Sequence, residues 1–541
     1  MNNPESEHDS SRSGDAQAAQ AASPRLSRRS ALAAALSVGV MPSAITSMGR
    51  SRSQEDSDVL DVLVVGGGVS GCYSAWRLAA ANPGSRIEVH ERSERIGGRL
   101  WSVKPQGMQQ QVAELGGMRI ASNQTPLLSL VKELGLTTDP YPATKPNHIY
   151  YLRGIRSRAS ELVASSKYGY RVRKDLEGKT MNELFDMVVK QATGKLDWTR
   201  DEMQSMVNKV RFDGELLHNL PYRLVFNKVL GYEGTRMLLE SMGYGRPNTN
   251  AAIFLKEAVL DLFIKGYSHV RGGYQKVPLG LADRARKQGV KFKFGQEMID
   301  LRVDGDVTEV AFRSADGQEH TRKARKVILT LPTSAYGLLP DSCALRGKNS
   351  LTRMLDNLLP VPATKIYVNF PRQWWKDLGI QSGRSITDIP VRQVFYLEDP
   401  SGRGLSLSPY AAGTNDSGYW SPLLPDGHKA DGDSLIAKTI RGQLNQMHGM
   451  DIPKPSEVLY RTFQGGQVGY GWNMWRPGVE PTKYSKAARQ PIPGKNVYCV
   501  GQATSIVQGW VMDTLSTTES VLRNNFGLDR PAWWPESYKP E

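Results

Sequence analysis

The sequence predicts an α/β protein whose largely parallel sheet is assembled from separated segments of the chain. The run from Val59 to Val65 is too apolar for a half-exposed strand, so it belongs in the centre of a sheet covered on both faces. Gly66, Gly68 and Gly71 follow it, and a second apolar run from Ile87 to Glu91 ends in an acid. Strand, glycines, helix, strand and acid in one short unit predict a Rossmann-like, dinucleotide-binding domain.

The glycine-rich turn indicates where the phosphates of such a ligand bind. Gly66 permits the tight turn, and Gly68 lets the backbone approach a pyrophosphate. Gly71 lets the next helix, predicted from Val69 to Ala81, pack on the strand. The N–H groups and the positive dipole end of that helix, with Ser70 in its first turn, then face the phosphates.

Glu91 stands where a ribose-binding acid is expected, which favours NAD or FAD over NADP. The residues from Glu91 to Gly97-Gly98-Arg99 resemble the second signature of the flavin amine oxidase superfamily, which nicotinamide dehydrogenases lack. The resemblance implies that the cofactor is FAD. It also implies that Arg92, Gly98 and Arg99 continue the phosphate cradle, with Arg99 as the main side-chain contact.

The resemblance covers nearly all of residues 55–530 and implies a division of the chain. It places a Rossmann-like FAD-binding domain in 55–121, 266–335 and 491–528, a mainly helical domain with some substrate-domain contribution in 122–265, an α+β substrate-binding domain in 336–490 and a tail in 529–541. Met298 is expected to offer its backbone to the adenine, and Gln502 and Val511 to contact the cofactor. Gln502 stands where the family usually has an acid, but an amide can still form hydrogen bonds.

The motif from Glu114 to Ile120 indicates a substrate class. By the resemblance, Gly116, Gly117 and Met118 lie against the flavin. Arg119 occupies a position that is arginine in L-amino acid oxidases, where two parallel hydrogen bonds grip the substrate α-carboxylate. In monoamine and polyamine oxidases this position is generally not arginine. The alternative is an arginine that pairs with an acid of the protein.

Two strand residues receive catalytic roles from the same resemblance. Lys365, in the run from Ala363 to Val368, corresponds to the family's lysine that holds a water near flavin N5. Tyr396 is assigned to join Arg119 on the carboxylate, and it is preferred to Phe395 because only it carries a hydroxyl. A solvated strand lysine and a buried core tyrosine are the alternatives.

Residues near the C-terminus are candidates for the walls of the substrate site. Trp510 matches a Gly-Trp pair of L-amino acid oxidases whose indole lies beside flavin and substrate, and Trp472 and Trp475 are weaker candidates for the opposite wall. Asp513 suggests a preference for a cationic substrate such as arginine or lysine. The alternative is that Asp513 is a surface acid of the last helix.

The composition argues against several other classes of protein. The 541-residue chain has a formal net charge of +15, but acids and bases are interspersed without a basic arm, so we expect no nucleic-acid partner. Three distant cysteines and eight scattered histidines lack disulfide and metal-ligand spacing, so neither a disulfide framework nor a metal site is expected.

Residues 1–54 are predicted to be a disordered lead followed by an export signal. Arg28-Arg29, a short apolar run from Ala31 to Val40 and small residues after it resemble a twin-arginine signal. The apolar run is too short to span a membrane, so we expect a periplasmic or secreted protein without a stable membrane anchor. The alternative is a disordered basic tail with an alanine-rich patch.

The resemblance as a whole implies FAD-dependent oxidative deamination of an L-amino acid by O2, which gives the 2-oxo acid, ammonia and hydrogen peroxide. A homodimer is the expected assembly. An amino-acid 2-monooxygenase that forms an amide is an open alternative, as is another flavin amine oxidase or a desaturase. Arg119, Lys365 and Trp510 together argue against a non-catalytic flavoprotein.

Overall fold

The computed structural model describes residues 58–262 and 266–541, which belong to one compact unit, Ser53–Glu541. The predicted export signal in residues 1–54 lies outside the described residues. Among the helices that are described, none is both long enough and apolar enough to cross a membrane.

The strand Leu60–Val65 lies inside a seven-stranded sheet, as its apolar sequence predicts. It pairs in parallel with Ile87–His90 on one side and with Glu319–Leu329 on the other. Its successive side chains enter different hydrophobic clusters, with Leu63 in one and Val64 in the other. Both faces of the strand are therefore covered, which is the environment in which a continuous apolar run is stable.

The strands of this sheet come from three separated parts of the chain. Their spatial order is Lys291–Lys293, Ile87–His90, Leu60–Val65, Glu319–Leu329, Val307–Ser314 and Gln296–Asp304, with Val497–Cys499 paired in parallel to the end of Glu319–Leu329. The predicted α/β class and the discontinuous Rossmann-like sheet are thus confirmed.

The helix Val69–Ala81 has the predicted bounds and packs against two later helices, Lys276–Lys287 and Val511–Phe526. It begins after Gly68, and no described side chain caps this end. The N–H groups of its first turn are therefore available to a ligand.

A second large sheet has nine strands and is mainly antiparallel. Its order is Lys429–Asp431, Glu457–Gly465, Ala363–Phe370, Gly404–Ala412, Gln393–Glu398, Gly383–Thr387, Ile149–Leu152 and Ile155–Arg158, with Gly469–Tyr470 paired to Glu457–Gly465. Two of these strands come from the otherwise helical segment 122–265. The sheet carries Lys365 and Tyr396 on different strands.

Smaller sheets and helices complete the fold. The smaller sheets are Ile120–Ala121 with Tyr267–Val270 and Thr138–Pro140, Leu358–Val361 with Trp472–Trp475, Arg211–Phe212 with Glu215–Leu216, and Ser102–Val103 with Ala113–Glu114. Helices outside the segment 122–265 include Thr333–Tyr336, Ser350–Asp356, Thr414–Trp420, Leu435–His448 and Pro481–Ala488.

The segment 122–265 is largely helical, as its spacing of apolar residues predicts. Helical spacing of apolar residues over 126–134, 181–191, 201–210 and 251–263 predicts four helices, although residue 263 lies outside the described residues. The structure has Thr125–Glu133, Met181–Thr193, Arg200–Lys209 and Ala251–Glu257, the last continued by a π-helical turn, Ala258–Leu262. The helix Tyr222–Met242 is not among those predictions. Gly231 interrupts it with a φ of 71°, so two helical pieces meet there at a kink.

Candidate active site

A cavity of about 1090 Å³, which we call the cofactor groove, lies at the carboxyl ends of the parallel strands. Val65, His90 and Thr330, at or just beyond those ends, line it. Of the predicted cofactor-binding residues, the groove is lined by Gly66, Gly68, Ser70, Glu91, Arg92, Gly98, Arg99, Gly116, Gly117, Met298, Gln502, Trp510 and Val511. Lys365 also lines the groove, so segments far apart in the chain meet in one cavity.

Two glycines allow backbones to approach closely beside the groove. A methyl group on Gly71 would lie 1.9 Å from the carbonyl oxygen of Gly66, so the helix packs on the strand only because Gly71 has no side chain. Gly71 therefore acts in packing and does not itself line the groove. A methyl group on Gly116 would lie 1.8 Å from the carbonyl oxygen of Arg99. Gly116 thus joins the two glycine motifs predicted to contact the cofactor.

Arginines surround the part of the groove predicted to hold the pyrophosphate. Arg99 donates hydrogen bonds to the Gln502 side-chain oxygen at 2.7 Å and to a backbone carbonyl, but it has no carboxylate partner among the described residues. Burial lowers the pKa of Arg99 to about 10. The pKa of Arg95 is also lowered to about 10, by burial and by repulsion from Arg461 and Arg92. An anion bound among these arginines would relieve both effects.

Gln502 provides a direct test of whether a dinucleotide fits the groove. Its side-chain oxygen accepts the bond from Arg99, but its buried Nε2 has no partner among the described residues. A buried N–H without an acceptor destabilises the protein. An oxygen of the bound cofactor would satisfy it, so the residues present fit FAD although the family's usual acid is absent.

Glu91 and Met298 lie at the end of the groove predicted for ribose and adenine. One Glu91 carboxylate oxygen accepts the Gly67 N–H at 2.6 Å, and the other accepts the Ser93 N–H and hydroxyl at 2.8 and 2.7 Å. The strand that carries Met298 has a β-bulge between Met298 and Asp300. A bulge releases one peptide group from the ladder, which is what a backbone contact to the adenine requires.

Lys365 is buried on the strand Ala363–Phe370, so the solvated-lysine alternative is wrong. Its ammonium donates a 2.7 Å hydrogen bond to the Gly116 carbonyl oxygen. Burial lowers the pKa of Lys365, an effect that nearby Glu114 opposes and Arg119 reinforces. The lysine therefore lies between the glycine motif that borders the groove and the arginine predicted to bind substrate.

Arg119 lies among Tyr141, Tyr244, Tyr267 and Tyr410, which we call the tyrosine cluster. It donates a 3.0 Å hydrogen bond to the Tyr244 hydroxyl, and its guanidinium lies 4.0 Å from the centre of the Tyr267 ring. In the described part of the chain, no carboxylate pairs with Arg119. The described residues therefore do not include the protein acid that the alternative requires. Because a guanidinium stays charged at physiological pH, the site carries an uncompensated positive charge.

Trp510 connects the cofactor groove to the tyrosine cluster. It lines the groove, and its indole stacks parallel to the Tyr267 ring with 6.3 Å between ring centres. Trp472 also lines the groove, and its buried Nε1 has no partner among the described residues. Trp475 instead donates to the Ile506 carbonyl and belongs to the hydrophobic core. Of the two weaker tryptophan candidates, the structure brings only Trp472 to the site.

Tyr396 does not join Arg119, and this prediction is corrected. Its hydroxyl lies 2.6 Å from Nε2 of His448 within a buried hydrophobic cluster. Because neighbouring strand residues point to opposite faces, Phe395 is the one that packs on Tyr141. The hydroxyl criterion therefore selected a residue on the wrong face, and the core-tyrosine alternative is right.

Met118 is also corrected as a side-chain contact to the cofactor. Its side chain is buried in a hydrophobic cluster, and its sulfur accepts a 3.3 Å contact from the Tyr141 hydroxyl. It does not line the groove. The glycines before it approach the groove through their backbone, whereas Met118 supports the tyrosine cluster.

Asp513 is neither a surface acid nor a wall of the groove. It is buried with Asp261 and Glu541 close to Arg200 and Lys256. Burial, followed by repulsion from the two other acids, raises the pKa of Asp513 well above its usual value. A group of charges that compensate one another inside the protein offers no free carboxylate to a cationic substrate, so the basis for expecting one is removed.

Sequence motifs miss the tyrosine cluster and the role of Glu114. Tyr244 follows a helix that the sequence does not predict, and its flanking glycines indicate only a loop. Glu114 opens the predicted motif, where an acid between apolar residues was a usable signal. It accepts hydrogen bonds from the Tyr274 N–H at 2.7 Å and the Ser102 hydroxyl at 2.8 Å, so it ties three segments together beneath the site.

Fold and groove define a flavoprotein that binds FAD on a Rossmann-like sheet. The model of the flavin containing amine oxidoreductase family matches residues 69–514, and the chain belongs to this family. The predicted superfamily and the predicted cofactor, FAD, are thereby confirmed. The protein is a flavin-dependent amine oxidoreductase.

Relatives extend over nearly the whole chain. Aplysianin-A from Aplysia kurodai is 25% identical over 520 residues, which cover 87% of this chain and 91% of the relative. The L-amino-acid oxidase BjussuLAAO-I from Bothrops jararacussu is 24% identical over 460 residues, which cover 84% and 88%. The solved structure of cyclohexylamine oxidase from Brevibacterium oxydans IH-35A has a TM-score of 0.63 at 16% identity and covers 85% and 97%. The last likeness concerns the fold alone.

Proposed function

We propose that the protein oxidises L-amino acids at Cα with O2. Arg119 carries the proposal, because this partly buried guanidinium has no carboxylate partner among the described residues and lies one tyrosine away from the groove-lining Trp510. A partly buried guanidinium without a counter-ion destabilises the folded protein. A substrate carboxylate would satisfy it through two parallel hydrogen bonds. The relatives named L-amino-acid oxidases support the same substrate class.

Tyr244 is the second anchor for that carboxylate. Its hydroxyl accepts a hydrogen bond from Arg119, which leaves the hydroxyl proton free to be donated to a carboxylate oxygen. Tyr410 lies against Tyr244 and also lines the groove, so the anchor is adjacent to the cofactor. A carboxylate that is bound at two points holds Cα in one orientation. The binding energy thereby lowers the entropic part of the activation free energy.

The chain binds and orients the substrate, and the redox chemistry comes from the cofactor. FAD, when bound, would accept a hydride from Cα of the substrate and pass the electrons to O2. Lys365 uses one N–H on the Gly116 carbonyl and has further donors with which to hold a water at the groove. Amino acid, O2 and water balance to 2-oxo acid, ammonia and hydrogen peroxide.

The proposal is tested by pairs of compounds that differ only in the α-carboxylate. Each L-amino acid and its decarboxylated amine are mixed anaerobically with the holoenzyme, and bleaching of the flavin is followed. We expect the preferred amino acid to bleach the flavin at least about 30-fold faster than its amine, because the amine leaves Arg119 unpaired. Equal rates would refute the carboxylate anchor.

Product analysis separates the oxidase from the monooxygenase alternative. In air, the oxidase releases one 2-oxo acid, one ammonia and one hydrogen peroxide for each O2 consumed. A monooxygenase would instead release an amide and carbon dioxide without peroxide. Recovery of the amide as the main product would overturn the proposed reaction while leaving the carboxylate anchor intact.

A further inference from the structure

Arg384 is a second arginine near the tyrosine cluster that lacks a carboxylate partner in the described part of the chain. It lies on the strand Gly383–Thr387 and is half-buried. Its guanidinium donates to the Gln393 side-chain oxygen at 3.3 Å and to the Thr144 hydroxyl at 3.4 Å, and it lies 5.9 Å from the Phe395 ring. All of these partners are neutral, so its charge is uncompensated.

Two neutral side chains connect Arg384 to Arg119. Arg119 donates to the Tyr244 hydroxyl. Gln393 accepts a hydrogen bond from Arg384 and donates to the carbonyl oxygens of Gly243 and Tyr410, which flank Tyr244 in sequence and in space. Burial acts to raise the pKa of Tyr244, but Arg119, Arg384 and Arg246 outweigh it and leave the pKa below its usual value. The region around Tyr244 is therefore strongly electropositive.

The third arginine of this group is already neutralised. Arg246 forms a buried, two-point ion pair with Glu257 at 2.6 and 3.2 Å. The acids around Asp513 face Arg200 and Lys256 and so are compensated as well. Two positive charges, on Arg119 and Arg384, are left for a ligand.

We propose that Arg384 binds a second carboxylate, so that the preferred substrates are dicarboxylic L-amino acids such as L-glutamate or L-aspartate. This inference rests on the proposed function, in which Arg119 takes the α-carboxylate. A neutral side chain would leave Arg384 unpaired, and a cationic one would be repelled by both guanidinium groups. The two arginines thus favour an anionic side chain on the substrate, whereas Asp513 suggests from sequence alone a preference for a cationic one.

Isosteric substrate pairs test the proposal in the wild-type holoenzyme. L-Glutamate and L-glutamine differ in one charge, as do L-aspartate and L-asparagine. We expect kcat/KM for the better acid to exceed that for its amide by at least about tenfold, since a partly buried charge pair forms only with the acid. A ratio near one, or a preference for the amide, overturns the proposal.

Variants locate the effect at Arg384. Arg384→Met should reduce the acid-to-amide ratio to about one, and Arg384→Lys should keep part of it. Arg372→Met is the matched control, because Arg372 pairs with Asp377 at the surface. It should leave the ratio unchanged. An undiminished ratio in Arg384→Met, with bound FAD retained, contradicts the assignment.

A binding measurement distinguishes this proposal from the proposed function. Glutarate and its monoamide carry no amine and cannot be oxidised as amino acids, so their affinities are read from the perturbed flavin absorbance of the holoenzyme. We expect glutarate to bind at least about tenfold more tightly, and Arg384→Met to remove the difference. Equal binding of the two refutes the role of Arg384. Failure of every amino acid to bleach the flavin would instead refute the proposed function.

Discussion

The cofactor groove and the tyrosine cluster are neighbours but are built in different ways. Backbone shapes the groove through glycine turns, an uncapped helix N-terminus and a β-bulge, and arginine side chains surround it. The tyrosine cluster is formed by side chains that separate elements bring around Arg119. A backbone site needs glycine at fixed spacing and so leaves a signature in the sequence, whereas a side-chain site depends on directions that only the fold determines.

Gly116→Ala is expected to have the largest effect, because it acts on the backbone of the groove. The added methyl group would lie 1.8 Å from the Arg99 carbonyl oxygen, which forces the two glycine motifs apart. We expect purified protein with little or no bound FAD, measured by flavin absorbance per chain. Gly442→Ala, in a helix with open space around the glycine, is the control and should retain FAD. Full FAD content in Gly116→Ala would contradict a backbone-built groove.

Arg119→Met should leave FAD binding in the cofactor groove unchanged and remove carboxylate binding in the tyrosine cluster. Removal of one partner from a buried charge pair costs about 2–5 kcal/mol, so kcat/KM for the best amino acid should fall by about 30-fold or more. FAD content should stay at the wild-type level. Steady-state kinetics and flavin absorbance on the same preparation separate the two effects. A variant with unchanged kcat/KM would show that Arg119 does not bind substrate.

The same contrast explains what could be predicted from the sequence. The sequence predicts the helix at roughly Val69 to Ala81, because the glycine turn marks its start and apolar periodicity continues to its end. The helix Tyr222–Met242 is not predicted, because it consists of two pieces joined by a kink at Gly231 and no single apolar stripe runs along it. The motif from Glu114 to Ile120 identifies Arg119 as a candidate. Tyr244, whose hydroxyl oxygen lies 3.0 Å from a guanidinium nitrogen of Arg119, belongs to no motif. The spacing of glycines and apolar residues thus predicts the fold around the cofactor groove. The contacts within the tyrosine cluster depend on tertiary packing, which the sequence does not show.

Tyr396 shows the limit most clearly, since its strand passes beside the tyrosine cluster but Tyr396 lies on the opposite face of that strand. A strand alternates its side chains, so an assignment that is one residue out of register moves a side chain to the opposite face. The apolar residues around Phe395 and Tyr396 give no alternation from which to choose, because both faces of this strand are buried. Only the pairing of the strand with its neighbours determines that Phe395 is the residue that packs on Tyr141 of the tyrosine cluster.

His448 gives a pH-dependent prediction for the core behind the cluster. Burial lowers the pKa of His448 to about 4 in the folded protein, against about 6.5 when unfolded. The unfolded state therefore binds more protons between these values, so the free energy of unfolding should fall as pH decreases from about 6.5 to about 4. His448→Gln should flatten this dependence by at most about 1.4 kcal/mol per pH unit. Urea unfolding across that range measures it, and an unchanged slope would contradict the buried, neutral histidine.

Tyr396→Phe and Tyr244→Phe are expected to have the smallest effects, because each removes a single hydroxyl. The first tests the core, and the second tests the substrate site. Tyr396→Phe deletes the contact to His448 and should lower the free energy of unfolding by about 1 kcal/mol, with kcat/KM within twofold of wild type. Tyr244→Phe deletes the contact to Arg119 and should raise KM by at least about tenfold, as expected for the loss of one hydrogen bond to a charged group. If Tyr396→Phe were the variant that raised KM, the carboxylate anchor would lie on the other face of its strand. The two variants therefore show which of the two tyrosine hydroxyls binds the substrate.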